Sequence, residues 1–146
     1  MKRTVEVIII AVLLLTACSP KEGMEVRDAW ARAAAQGENG AVYFVIHNYS
    51  AADDFLVGAS ADVAETVEIH ETSMAGDVME MHMLPTVLLA AGEDVEFSTG
   101  GLHVMLFNLQ RELKIGESIE ITLHFQNSAD LPLTVLVQAG PEYDDD

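Results

Sequence analysis

The sequence predicts an all-β fold, a Greek-key β-sandwich or barrel. Three observations point there. Ile119–Phe125 alternates apolar and polar residues as a half-buried strand does, and Leu131, Leu133, Val135 and Val137 repeat the pattern. Short runs of this kind recur along the chain, separated by breaks with turn chemistry. Only Asp28–Ala35 has helical composition, and it is short; it is expected to form a strand or an irregular edge.

In chain order, residues 1–18 read as a lipoprotein signal peptide. Lys2 and Arg3 open it, an apolar run spans Val7–Leu15, and Leu15-Thr-Ala-Cys18 looks like a bacterial lipobox. The apolar run is shorter than the ~20 residues a membrane span needs. Cys18 is the expected lipidation site. It is also the only cysteine, which excludes a disulfide and a Cys-based metal site. Residues 19–23 are expected to be a linker, 24–138 the folded β domain, and 139–146 an acidic, disordered tail. The folded part is therefore placed outside the cytoplasm, in the periplasm or on the outer cell surface. A lipid anchor is its expected membrane attachment.

Within the domain, Ala41–Ile46 is a mostly apolar run suited to a strand buried on both faces. Further strands are expected at Asp53–Ala59, Thr66–Thr72, Val78–Met83, Val87–Ala90, Val95–Ser98 and Leu102–Phe107. The breaks are Gly37–Gly40, Asn48–Asp54, Ala75–Asp77, Ala91–Asp94, Gly100–Gly101, Ile115–Glu117 and Asn127–Asp130. A body of this length can close one core without disulfides. The chain has a formal net charge of −17. That excludes nucleic acid and a polybasic membrane patch as partners.

The most informative pattern is H-x10-M-x21-H-x-M, formed by His70, Met81, His103 and Met105. Two imidazoles and two thioethers make a soft, neutral donor set, which suits Cu(I) better than Cu(II) or zinc. Strand alternation gives the set a geometry. Val67 and Ile69 share one face of their strand, so His70 points to the other. His103 and Met105 share a face opposite Leu102, Val104 and Leu106. Met81 shares its face with Met79 and Met83, and Met74 lies in the turn between. Five of the seven methionines fall between Met74 and Met105. A lone methionine is usually core filler, but an i, i+2 His–Met pair facing away from apolar neighbours is not. Glu71 and Glu80 are the candidate partners to orient a ligand imidazole. His47, His82 and His124 are read as surface histidines.

The chain resembles the periplasmic copper chaperone family known as PCuAC. The resemblance is carried by Val67–Thr72, Met79–Met81, Ala90–Asp94 and Gly100–Leu106, and also by Asp28–Arg32, Ala41–Asn48 and Leu123–Phe125. It covers about Met24 to Val137 and fits the family's metal motif without insertion or deletion. It implies a cupredoxin-like Greek-key barrel binding one Cu(I) through His70, Met81, His103 and Met105. It further implies delivery of that ion to the Cu-A centre of cytochrome c oxidase, to an oxidase subunit directly or through another copper-assembly protein. Some family members carry a His- and Met-rich C-terminal extension; this chain ends Glu142-Tyr-Asp-Asp-Asp146 and has none. One copper ion and a monomeric protein are expected. The alternative is a copper storage or tolerance lipoprotein without a specific acceptor. An enzyme is the least supported class, since no nucleophile motif, no H-E-x-x-H and no nucleotide loop is present.

Overall fold

The computed structural model describes residues 21–140. The signal segment, Cys18, residues 19–20 of the linker and residues 141–146 of the tail lie outside them. Ten strands and no helix occur among the described residues. They are β1 (Met24–Arg32), β2 (Gly40–Asn48), β3 (Asp54–Ser60), β4 (Ala64–Ala75), β5 (Val78–Met83), β6 (Val87–Leu89), β7 (Asp94–Phe97), β8 (Leu102–Leu109), β9 (Ser118–Phe125) and β10 (Leu131–Gln138). The expected strands are all present, most with ends shifted by one or two residues.

The strand order is β5-β4-β8-β7-β2-β1-β10-β9-β3-β6, with β8 also paired to β2. Neighbours in space are mostly not neighbours in sequence, so the chain crosses over repeatedly between strands. β1 pairs antiparallel to β2 and parallel to β10.

Of the segment with helical composition, Asp28–Arg32 is the second half of β1, and Ala34 forms an isolated bridge with Leu113. The register of β1 slips between Arg27 and Trp30, and Asp28 takes a positive φ of 56°. An aspartate tolerates that left-handed conformation better than most residues. The resulting bulge turns Ala31 fully inward at 0% exposure. Sequence periodicity failed there because the bulge breaks the two-residue alternation.

One core fills the interior. Val42, Phe44 and Ile46 of β2 meet Val104 and Leu106 of β8, Ile121 and Leu123 of β9, and Val135 and Val137 of β10. Phe44 and Phe97 stack with ring centroids 4.4 Å apart. Asp54 is the one buried carboxylate of the described residues. It accepts hydrogen bonds from Asn127 N (3.0 Å), Ser128 N (2.9 Å), Ser128 Oγ (2.6 Å) and Phe55 N (2.7 Å). The β9–β10 turn is thereby fastened to the start of β3.

The strand that extends furthest beyond its expected bounds is β4. Its first part pairs with β8 from Ala64 to Glu71, and its second part pairs with β5 from His70 to Ala75. Each pairing supplies ladder hydrogen bonds, so the strand continues as long as either partner does. A two-residue loop, Gly76–Asp77, closes the β4–β5 hairpin. Gly76 has φ +68° while Asp77 is not in the left-handed region, the pattern of a type II′ turn.

Candidate metal centre

The three strands carrying the motif are adjacent, in the order β5-β4-β8. The β4–β8 register sets His70 directly opposite His103, and Glu68 opposite Met105. The β4–β5 register sets Thr72 opposite Met81 and His70 opposite Met83. Alternation then puts His70, His103, Met105 and Met81 on one face of this three-stranded sheet. The other face carries Ile69, Val104 and Leu106, all in the core.

Although they point away from that core, both histidines are buried. His103 is 4% exposed and His70 is 9% exposed. Their ring centroids lie 6.0 Å apart. Phe107 flanks His70 at 5.5 Å, and Tyr43 flanks His103 at 6.4 Å. His103, Met105 and Met81 line a cleft of about 340 Å³ together with Tyr43, Thr72 and Met79. Met81 is half exposed at its rim. His70 does not line that cleft; it stands across the β4–β8 ladder from His103, which does.

Hydrogen bonds settle which nitrogen each imidazole has free. His103 Nδ1 lies 3.0 Å from the carbonyl oxygen of Gly101. A carbonyl only accepts, so Nδ1 carries the proton and Nε2 keeps its lone pair. The same carbonyl accepts from Thr72 N at 3.1 Å, tying β4 to the entry of β8. Gly100 makes that turn possible with φ +84°. In His70 the roles are reversed. Nε2 lies 2.8 Å from Glu68 Oε2, so Nε2–H donates to the carboxylate. Nδ1 is the one buried side-chain nitrogen or oxygen among the described residues with no hydrogen-bond partner. An orphaned buried nitrogen costs about 1–3 kcal/mol, and a metal ion would remove that cost. Each ring thus has one nitrogen held by oxygen and one lone pair to donate, as metal-ligating histidines have.

Glu68, the partner of His70, was not among the sequence candidates. Glu71 is exposed on the opposite face of β4, and Glu80 pairs with His82 at 3.3 Å. The signal that could have found Glu68 is its i−2 spacing from His70, which puts both on one face. The other histidines are engaged elsewhere. His47 Nδ1 meets Asp94 at 2.7 Å, and His124 meets Asp130 and Ser60 at 2.9 Å each. The Ser60–His124–Asp130 chain sits on an open strand surface, with Asp130 59% exposed, and other residues line the clefts.

Among the described residues, no three His, Cys, Asp or Glu side chains converge. A hard or borderline ion such as calcium or zinc has no site of that type here. The face offers instead two imidazole nitrogens and two thioethers, a donor set of the kind that soft monovalent ions prefer.

Comparison with known proteins places the chain. A family model described as "Putative lipoprotein LpqE-like" matches residues 24–137. The "Putative lipoprotein Lxx21020" of Leifsonia xyli subsp. xyli is 29% identical over 118 residues, covering 80% of this chain and 70% of that protein. The solution structure of CuI-DR1885 from Deinococcus radiodurans is similar at 31% identity and a TM-score of 0.61, covering 80% of each chain. The copper-bound PCuAC domain from PmoF2 superposes with a TM-score of 0.68 at 22% identity, covering 80% of this chain and 93% of that one. With residues 24–137 inside the family model, the chain belongs to the LpqE-like family, and its fold is the cupredoxin-like β fold of PCuAC domains.

Proposed function

We propose that this protein is a lipid-anchored, extracytoplasmic carrier of Cu(I). It holds one ion through His70 Nδ1, His103 Nε2, Met81 and Met105. The observation that carries the reading is the cross-strand His70–His103 pair, in which each ring has one nitrogen fixed by an oxygen and one lone pair free. A relative whose structure is that of a CuI form, and a similar fold described as copper-bound, support copper as the cargo. The names of the family and of the Leifsonia relative support the anchor, with Cys18 as the lipidated residue.

The donor set fits carrying better than permanent storage. All four ligands are neutral, so the bound site keeps the ion's single charge, offset by the Glu68 carboxylate behind His70. Thiolate sites hold copper through formal charge, and this one does not. The histidines are buried while Met81 is half exposed. An incoming acceptor ligand would therefore meet the thioether side first and displace the weaker donors. The acceptor we propose is a copper-accepting oxidase subunit at its Cu-A site, or another copper-assembly protein.

Two variants test the site. Met81→Ala and Met105→Ala each weaken Cu(I) binding in competition with a Cu(I) chelator. Unchanged affinity in both would sink the assignment. Delivery is tested by mixing the Cu(I)-loaded protein with an apo oxidase subunit and following the acceptor's own spectrum. Absence of transfer would favour storage or tolerance.

A further inference from the structure

The cleft has a thioether that the four-residue motif does not use. Met79 lines it beside Met81, His103 and Met105. Directly across the β4–β5 ladder from Met79 stands Met74. Cross-strand partners have Cβ atoms about 4.5–5.5 Å apart. Alternation puts this pair on the face of His70 and Met81, at the hairpin end of the cleft.

Neither residue is there to fill a core. Met74 is 62% exposed and Met79 is 69% exposed, and all six residues of β5 are exposed. Large apolar side chains held in water contribute little to folding. As apolar surface, leucine would serve equally well. What methionine adds is a soft sulfur donor on a flexible stem. Met81 follows Met79 after one two-residue step, about 7 Å along the strand. Met74, Met79 and Met81 therefore form a row on one face, running from the hairpin tip toward the inner donors.

We propose that Met74 and Met79 form a second, outer site for a soft monovalent ion, and that it loads the inner site through Met81. This rests on the Cu(I) reading above and adds the route of entry. The transfer is ligand substitution at Cu(I). A Cu–S bond to Met81 forms as the bond to Met74 or Met79 breaks, the oxidation state stays the same, and no proton moves.

The test uses the full-length chain with its methionine methyl groups carbon-13 labelled, titrated anaerobically with Cu(I) and followed by NMR. The first equivalent should shift the methyls of Met81 and Met105, and the second those of Met74 and Met79. The double variant Met74→Leu/Met79→Leu keeps the apolar surface and loses the sulfurs. It should bind the first equivalent with wild-type affinity, lose the second, and load the inner site more slowly in stopped-flow measurements. Stationary Met74 and Met79 methyls through the second equivalent would overturn the proposal. So would a double variant that takes two equivalents and loads at the wild-type rate, which would make the row an apolar docking surface instead. Failure of the inner assignment is distinct, because then the Met81 and Met105 methyls are the ones that do not respond.

Discussion

Glu68→Ala is the sharpest probe of the site, because it leaves every proposed copper ligand in place. Glu68 Oε2 is 2.8 Å from His70 Nε2, and that contact keeps the proton on Nε2 and the lone pair on Nδ1. Without it, the ring is free to turn or to change tautomer, and the buried Nδ1 is no longer the designated donor. Partners of this kind contribute about 10–100-fold to metal affinity, or about 1.4–2.7 kcal/mol. The Glu68 side chain is 37% exposed, so water replaces part of what it supplies. The loss should therefore fall in the lower half of that range, about 10–30-fold. Glu68→Gln keeps an oxygen that can accept from Nε2–H and loses only the charge, and it should cost about threefold. The assay is competition with a chromophoric Cu(I) chelator at fixed pH, with a denaturation curve for each variant to show that the fold persists. Glu68→Ala binding within about twofold of wild type would refute the tautomer reasoning. So would a glutamine variant weaker than the alanine one.

Two further predictions concern the frame that holds the site. Asp54→Ala strands five donors, four of them in the β9–β10 turn, and should cost about 3 kcal/mol in urea unfolding. Burial pushes the Asp54 carboxyl pKa up, but hydrogen bonds from Ser128, Phe55 and Asn127 outweigh it and hold the pKa below the usual carboxylate value. Its contribution is therefore complete above the unfolded pKa of about 3.9 and is lost as pH falls through the lower folded value. The Asp54→Ala variant should show a flatter loss of stability in that acid window, measured by unfolding at stepped pH. Gly76→Val meets no atom within 4 Å of the new Cβ, so its main cost is backbone strain at φ +68° in a type II′ turn, about 1–3 kcal/mol. The hairpin carries Met81, and Cu(I) affinity should fall with it while the core transition moves little.

The fold was legible because nine of its ten strands alternate or run apolar between turn residues. Ile119–Phe125 lies within β9 as read, and Val78–Met83 coincides with β5. β1 was obscured by the bulge at Asp28, which shifts register and breaks the two-residue period. The faces of His70, His103 and Met105 followed from parity alone, since a side chain opposite Ile69 or Val104 must leave the core. Parity says nothing about depth. Tyr43 and Phe107 flank the two rings; Phe107 shares the parity of Met105, but Tyr43 reaches His103 from β2, a tertiary fact that no spacing encodes. The choice of Glu68 over Glu71 lay within reach of the same parity rule. The Gly101 carbonyl did not, because it depends on the turn between β7 and β8.

The proposed four-donor site reaches a sheet edge, and that placement would let one site both hold and release an ion. β8 is an interior strand, bonded to β4, β7 and β2; its Met105 is paired on both sides, with Glu68 and Ala41, and its His103 is paired with His70. β4 is held by β8 along the part that carries His70. β5, with Met81, bonds only to β4 and is exposed along its whole length. Strands of this kind open at lower free energy than those in the core. The rigid part of the site is thus the imidazole pair, and the compliant part is a thioether on an edge hairpin. Holding an ion requires all three strands together, whereas releasing it requires only that the β5 side yield to a competing ligand. A site with its four donors spread over interior strands would lack that weak side. On this view the stiffness of the β4–β5 hairpin, set in part by the Gly76 turn, tunes the release rate together with the neutral ligand set.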